Sequence, residues 1–330
     1  MIDVAVIGLG WWGQNIVREL AGSDRLRVVL GVDPEEVGRE AVRSRGLEVS
    51  ARFEDALERS DLDAVVLCSP HRFHVDQMVA AAAAGKHVFC EKPFSTRGAD
   101  ADRAIAAVVA AGLTLGIGHE RRFEPAVQEL QRRVRQGDLG VPLVLEGNFS
   151  HDKFLALPPD NWRLSATEAP VGPLSATGIH LVDIAISLFG RPAEVRAHLA
   201  TRATTFANGD TLSVTLRFPG EEIAVVNAVL TTPFLGRLCV LGSEGWMEIR
   251  DRRHPEDPQG WDVAVTHRGQ QEPELRFFPA APAVRLNLEA FADAIAGEAP
   301  YPVPTDEIAA NVRTFEAIST SALEDRPVLV

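Results

Sequence analysis

Apolar residues fall in short continuous runs through the first third of the chain: Val4 to Ile7, Leu26 to Val32, Ala64 to Cys68, His87 to Cys90 and Leu113 to Ile117. Runs of this kind, rich in β-branched residues, predict strands buried on both faces. Between them the apolar spacing turns helical, over Gly13 to Leu20, Glu35 to Arg45, His74 to Ala84, Gly98 to Ala111 and Phe123 to Gln136. Alternation of the two predicts an α/β domain with a parallel sheet covered by helices on both faces, a doubly wound arrangement of the Rossmann type.

The pattern changes after Gly137, Asp138 and Gly140, which read as helix-stop and turn signals. A strand from Leu143 to Ser150, a loop around Pro158 and Pro159 and a helix from Ser175 to Leu188 come next. Strands follow over Glu194 to Ala200, Thr211 to Phe218, Ile223 to Leu230, Arg237 to Leu241, Trp246 to Arg250, Asp262 to Thr266 and Glu274 to Phe277. Turn signals such as Asn208-Gly209, Pro219-Gly220 and Ser243-Glu244-Gly245 separate neighbours, predicting an antiparallel meander and an α+β second domain. Two closing helices, Leu286 to Ala296 and Thr305 to Leu323, end the chain, and at least the last is expected to pack back on the first domain. The predicted organisation is residues 1–121 for nucleotide binding and 122–330 for substrate binding and oligomerisation.

Charge narrows the class of partner. Lys and Arg total 33 against 46 Asp and Glu, a net charge of -13. That balance disfavours nucleic acid by long-range repulsion. The densest basic cluster, Arg132, Arg133 and Arg135, alternates with Val127, Leu130 and Val134 and reads as the wet side of a helix. Cys68, Cys90 and Cys239 are too widely spaced for a metal pair or a disulfide framework, so no metal is expected and a cytoplasmic location fits. The longest apolar run, near Met78 to Ala84, is too short to span a bilayer, and the start of the chain is a strand rather than a signal peptide.

Candidate chemistry begins at Gly8-Leu9-Gly10-Trp11-Trp12-Gly13, a GxGxxG directly after a strand and at the start of a helix. Gly8 allows the tight turn, Gly10 lets backbone approach a pyrophosphate, and Gly13 permits close helix–strand contact. The second strand runs into Asp33, where a carboxylate can accept hydrogen bonds from ribose hydroxyls, although Asp is also a common helix N-cap. Pro34, Glu35 and Glu36 bring no Arg or Lys for a 2′-phosphate, so NAD is favoured over NADP. Ser69-Pro70-His71 and Glu91-Lys92-Pro93 follow two further strands, at the carboxyl edge where open α/β sheets bind ligands. His74 reads as the start of the next helix, with a structural role as reasonable as a binding one. The expected cofactor-binding set is Gly8, Gly10, Trp11, Trp12, Gly13, Asp33, Ser69, Pro70, His71, Glu91 and Lys92.

GLGWWG, CSPHRFH, AAAGKHVFC followed by EKP, Arg122-Phe123 with Pro125, Trp162-Arg163 and Gly178-Ile179-His180-Leu181-Val182-Asp183 together resemble the Gfo/Idh/MocA family over essentially the whole chain. The resemblance implies an N-terminal NAD(P)-binding domain and a C-terminal domain whose large, open, mostly antiparallel sheet supports homodimers or homotetramers. It also implies that Lys92 and His180 face a substrate beside the nicotinamide, with an unusual peptide geometry at Lys92-Pro93. Those roles make chemical sense for a dehydrogenase acting on a secondary alcohol or ketone of a sugar, cyclitol or related polyhydroxylated compound. His180 would take the hydroxyl proton, and the Lys92 ammonium would stabilise alkoxide character.

His180 and Asp183, three apart on a helix, share a face, so the carboxylate could orient the ring; capping or an interface role is the alternative. Arg122, His151, Trp162, Arg163 and Thr177 are candidate substrate contacts, and Asn148 and Asn161 carry suitable polar groups. Many relatives place an acid four residues before the histidine, where this chain has Ala176. Either the substrate differs from the common polyols, or a residue such as His151 or Asp152 compensates. Two other activities remain open at this level: glycoside cleavage through transient oxidation with NAD retained, and a dinucleotide-binding regulator without turnover.

Overall fold

Residues Val4 to Ile7 are buried in β1 (Ile2–Ile7), the central strand of a six-stranded sheet in the computed structural model, which describes residues 1–330. The chain continues through α1 (Trp11–Leu20), β2 (Leu26–Val32), α2 (Glu36–Arg43), β3 (Glu48–Ser50), α3 (Phe53–Glu58), β4 (Ala64–Leu67), α4 (His71–Ala83), β5 (His87–Cys90), α5 (Gly98–Ala110) and β6 (Leu115–Ile117). All strand pairs are parallel, in the order β3-β2-β1-β4-β5-β6. This is the doubly wound Rossmann order, with its topological switch between β1 and β4.

Two boundaries differ from expectation at the ligand-binding edge. α1 begins at Trp11 and α4 at His71, each a residue or more earlier than the apolar spacing predicts, because polar and aromatic residues fill their solvent-facing first turns. β3 and α3 were not expected at all. β3 is an edge strand without a fully buried residue, and α3 buries only Ala56, so neither leaves an apolar period.

Residues 1–120 and 282–309 form one unit; residues 121–281 and 310–330 form the other. The second unit contains α6 (Pro125–Gln136), β7 (Pro142–Ser150), a π-helical turn (Leu174–Gly178) leading into α7 (Ile179–Phe189), and the strands β8 (Glu194–Ala200), β9 (Thr211–Arg217), β10 (Ile223–Val229), β11 (Leu235–Gly242), β12 (Gly245–Asp251), β13 (Trp261–His267) and β14 (Glu274–Phe278). α8 (Ala283–Ile295) belongs to the first unit, α9 (Thr305–Glu324) passes from the first set of residues into the second, and β15 (Val328–Leu329) closes the chain.

α8 thus belongs to the first unit whole, whereas α9 contributes only residues 305–309 to it. Phe291 of α8 packs edge-on against Phe89 of β5, and Asn287 Nδ2 donates to the carbonyl of Ile117 at 2.9 Å. Tyr301 completes this seam, its hydroxyl oxygen 2.6 Å from Asn287 Oδ1 and 3.0 Å from Ile117 O, with its one proton shared between these acceptors.

The second sheet has nine strands in the order β14-β13-β12-β11-β7-β10-β9-β8-β15. It departs from a pure meander, since β7 lies between β11 and β10 and pairs with β10 in parallel. One face is covered by apolar residues of α6, α7 and α9, including Leu130, Ile184 and Phe315. α7 is hydrophobic nearly all round, and the first eight of its residues are buried. A helix of that composition must be enclosed, and it carries His180 and Asp183 into the interior with it.

Candidate active site

The glycine turn is shaped by close backbone approach. Gly8 has φ +91°, and a Cβ there would lie 2.7 Å from the Cys68 carbonyl carbon, where β1 and β4 diverge. A Cβ on Gly13 would fall 1.8 Å from Gly8 O. Gly10 is different, since nothing lies within 4 Å of its absent Cβ. Two glycines are thus required by the protein's own packing, whereas the third keeps open the space a pyrophosphate would enter. α1 supplies no acidic residue in its first turn and no side-chain cap, leaving its N-terminal amides and positive dipole end for an anion. These features fit a dinucleotide.

Asp33 lies just past β2. Its Oδ2 accepts from the Leu9 amide at 2.6 Å and its Oδ1 from the Glu35 amide at 2.8 Å, so the carboxylate joins the glycine turn to the β2–α2 turn. The sequence reading found no basic residue here, but folding brings one. Arg39, one helical turn into α2, donates Nη1 to the carbonyls of Asp33 at 2.6 Å and Pro34 at 2.7 Å. Its Nε donates to Glu36 at 3.0 Å. The i, i+3 spacing from Glu36 to Arg39 was the available signal.

Ser69 donates its hydroxyl to Gln77 at 2.5 Å, and Pro70 is the N-cap residue before His71. His74 is fully buried in α4. Its Nε2 lies 2.8 Å from Ser69 O and its Nδ1 2.9 Å from Pro93 O, tying together the loops after β4 and β5. Burial pulls its pKa down, against the pull of these carbonyls. The structural role is the one its contacts support.

Glu91 and Lys92 follow β5, and the Lys92–Pro93 peptide bond is cis. The Glu91 carboxylate fills the space beside Gly118, where any Cβ would come within 2.2 Å of Oε2. Burial pushes the Glu91 carboxyl up to about 7, opposed by the Trp12 side chain and the Lys92 charge. Trp12 packs against Trp11 with ring centroids 5.3 Å apart, and Trp11 is 55% exposed.

In the second unit, Phe149 near the end of β7 is the hub of a ring cluster. His180 lies 6.0 Å from it, His254 5.6 Å and His151 6.4 Å, centroid to centroid. The Arg121 guanidinium also sits 5.1 Å from the Phe149 centroid. Arg121 is itself buried. Although burial works against its charge, Asp251 at 2.7 Å and Glu124 at 3.1 Å hold its pKa above the ordinary value.

Asp183 has a charged partner of its own. Arg122 Nε and Nη2 each donate to one of its carboxylate oxygens at 2.6 Å, a bidentate buried pair. The pair ties Arg122, a candidate substrate contact, to α7. Thr177 is likewise engaged in the fold, since its hydroxyl donates to Phe149 O at 2.7 Å, and Ser175 donates to Pro170 O at 2.6 Å. The π-helical turn thereby fixes the entry to α7 one turn before His180.

Trp162 and Arg163 form a short 3₁₀ turn, with the guanidinium 4.4 Å from the indole centroid. Asn208 holds this segment, donating to the carbonyls of Arg163 at 2.7 Å and Ala169 at 2.8 Å. Asn208 read as a turn signal alone, and Arg121, Asp251 and His254 carried no motif; the contacts from Asn208 to Ala169, Arg121 to Asp251 and His254 to Phe149 each span 39 residues or more, beyond any local period.

Comparison with known proteins agrees with this architecture. A family model described as the oxidoreductase family with an NAD-binding Rossmann fold matches residues 2–119, and the GFO/IDH/MocA C-terminal domain matches residues 127–248. The chain belongs to the Gfo/Idh/MocA family. Within it, the scyllo-inositol 2-dehydrogenase (NAD(+)) of Bacillus subtilis is 30% identical over 77% of this chain and 75% of its own length. The D-xylose 1-dehydrogenase [NADP(+)] of Haloarcula marismortui is 26% identical over 88% and 86%. Aldose-aldose oxidoreductase from Caulobacter crescentus, solved with glycerol, superposes with a TM-score of 0.88 at 26% identity, covering 100% of this chain and 99% of that one. No helix in this member of the family is long and apolar enough to cross a membrane.

Proposed function

We propose that this protein is an NAD-dependent dehydrogenase or reductase acting on a secondary alcohol or ketone of a sugar, cyclitol or related polyhydroxylated compound. The reading rests above all on Asp33: a carboxylate held at the glycine turn favours ribose hydroxyls and repels a 2′-phosphate. Gly8, Gly10 and Gly13, with the loops at Ser69 to His71 and Glu91 to Lys92, would hold the dinucleotide. Bound nicotinamide supplies the hydride acceptor or donor.

His180 takes the hydroxyl proton at an imidazole nitrogen, and returns it in the reverse direction. The Lys92 ammonium donates a hydrogen bond to the same substrate oxygen and stabilises its partial negative charge. Asp183 acts on His180 through the position of α7, which its ion pair with Arg122 fixes. His151, Trp162 and Arg163 supply the polar and aromatic surface for the remaining hydroxyls.

Self-association is assigned to the uncovered face of the nine-stranded sheet. Val225 and Leu235 lie there beside Glu146, Asn148, Asn227 and Arg237 around a depression of about 350 Å³. Light scattering of the intact protein tests whether it is a dimer or tetramer.

The enzymatic test is absorbance at the NADH band with NAD or NADP and a polyol panel. The reading predicts reduction of NAD by at least one polyol and loss of turnover in His180→Ala and Lys92→Met. No reduction with any polyol, or unchanged turnover in His180→Ala, overturns it. Sugar release without NADH accumulation would point instead to cleavage by transient oxidation.

A further inference from the structure

Three contacts seat the start of α7 on β7 around His180. The Thr177 hydroxyl donates to Phe149 O at 2.7 Å, and Leu181 fills a notch at Gly147, where a Cβ would lie 3.0 Å from Leu181 Cδ1. Between them the His180 imidazole lies 6.0 Å from the Phe149 ring, centroid to centroid, and at 39° to it. Gly147 and Phe149 are two apart on β7 and so face the same side of the sheet. The first two contacts fix the path of the backbone. They leave the imidazole free to turn about its own side-chain bonds, and of the three only the Phe149 ring meets it.

The Phe149 ring is itself held. The Arg121 guanidinium lies over it at 5.1 Å, and is fixed in turn by Glu124 at 3.1 Å and by both carboxylate oxygens of Asp251 at 2.7 and 2.8 Å. Trp261 Nε1 donates to Asp251 Oδ1 at 2.9 Å. Gly236 stands directly across from Phe149 in the ladder between β7 and β11, and a Cβ there would come within 2.1 Å of Asp251 Oδ2. The missing side chain at 236 is the room in which Asp251 sits.

The side chains of Arg121, Glu124 and Asp251 are each no more than 3% exposed. Taking three charges out of water is costly, and such a cluster adds little net stability compared with apolar packing. It does supply direction. A planar guanidinium held by two carboxylates has one orientation, and cation–π attraction passes that restraint to the ring beneath it.

We propose that Phe149 is a positioning residue for His180: its ring, held by the cluster of Arg121, Asp251 and Glu124, keeps the imidazole in the orientation from which it takes the substrate's hydroxyl proton. This rests on the dehydrogenase reading above, in which His180 is the base. The ring needs no contact with the reacting atoms. Loosening it lowers the fraction of bound substrate that meets an aligned base, so the loss falls on kcat and not on KM.

The test compares Phe149→Leu, which keeps apolar bulk without a flat ring, with Phe149→Tyr, which keeps the ring, in the full-length protein. Phe149→Met takes the place of Phe149→Leu if urea unfolding shows the latter to be unfolded. Phe149→Leu should lower kcat at least about tenfold with KM for NAD and polyol within about twofold, and Phe149→Tyr should recover most of the loss. Nuclear magnetic resonance of the protein carrying isotope-labelled histidine gives a readout that needs no turnover. The His180 signal, identified by its absence in His180→Ala, should be sharp and displaced by the Phe149 ring current in wild type and Phe149→Tyr, and lose that displacement and broaden in Phe149→Leu.

A kcat for Phe149→Leu within about twofold of wild type, or an equal loss in Phe149→Tyr, overturns the proposal. A rise in KM with kcat kept would make Phe149 a substrate contact and overturns it as well. So does a His180 signal that is unmoved in Phe149→Leu. Absence of NAD reduction with every polyol counts against the dehydrogenase reading, and the histidine signal then decides by itself whether Phe149 orients the ring.

Discussion

The Asp33 carboxylate accepts a hydrogen bond from the backbone amide of Leu9 at 2.6 Å, across 24 residues of chain. The bond locks the end of β2 to the middle of the glycine turn, so the residue that would select the ribose also shapes the turn that would hold the pyrophosphate. Arg39 waits beside it with its guanidinium on the carbonyls of Asp33 and Pro34.

Cofactor preference should therefore turn on two residues. Asp33→Ser removes the charge that repels a 2′-phosphate and leaves the Arg39 guanidinium next to the vacated space. The ratio of kcat/KM for NAD over NADP should fall by about tenfold to a hundredfold, the range expected for one charge-assisted contact. Adding Arg39→Ala to Asp33→Ser should remove the gain with NADP. A ratio unchanged by Asp33→Ser would show that cofactor choice is made elsewhere.

The three glycines separate by what surrounds them. Ala at position 13 would drive Cβ to 1.8 Å from Gly8 O, so Gly13→Ala should destabilise the protein without any ligand by about 3 kcal/mol or more, measured by urea unfolding. Ala at position 10 meets nothing within 4 Å, and the backbone there, φ -62° and ψ -175°, suits any residue. Gly10→Ala should thus unfold within about 0.5 kcal/mol of wild type yet bind NAD at least about tenfold more weakly, because its methyl occupies the path of the pyrophosphate.

How far the sequence disclosed this architecture depends on the range of the interaction. The strands of the first unit are continuous apolar runs such as Val4 to Ile7, and burial on both faces writes them directly into composition. The glycine turn and Asp33 were legible because their constraints are local and their spacing is set by one βαβ unit. β3 was not, being short and half-exposed. The insertion of β7 between β10 and β11 was invisible too, since parallel pairing of residues 144–148 with 223–227 leaves no turn signal. The same holds for the site: His180 and Lys92 sit in motifs, but the pairing of Arg122 with Asp183, a partner 61 residues away, leaves no local signal. A lone arginine does not reveal whether its carboxylate lies within the protein or arrives with a ligand.

The Arg122–Asp183 pair should be worth more intact than its net contribution suggests. Both groups are buried, so removing one leaves the other charge without compensation, at a cost of about 3–5 kcal/mol. Asp183→Asn and Arg122→Met should each destabilise the second unit by that order in urea. The double variant should recover part of the loss, since it leaves no unpaired charge. If Asp183 acts on His180 through the position of α7, Asp183→Asn should lower kcat more than it raises KM.

Glu91 gives the protein a pH dependence of opposite sign to that of a salt-bridged carboxylate. Its proton is held more tightly in the folded state, about 7 against an ordinary value of 4.5, because burial beside Gly118 disfavours the charge. Folding is therefore favoured by this group below pH 4.5, and the contribution is lost progressively as pH rises towards 7. The difference corresponds to at most about 3 kcal/mol between the two limits. Urea unfolding of Glu91→Gln compared with wild type isolates the effect: the variant, which cannot ionise, should gain stability relative to wild type as pH is raised from 5 to 8. A stability difference independent of pH over that interval would mean that Glu91 is ionised throughout, with Lys92 and Trp12 compensating its burial.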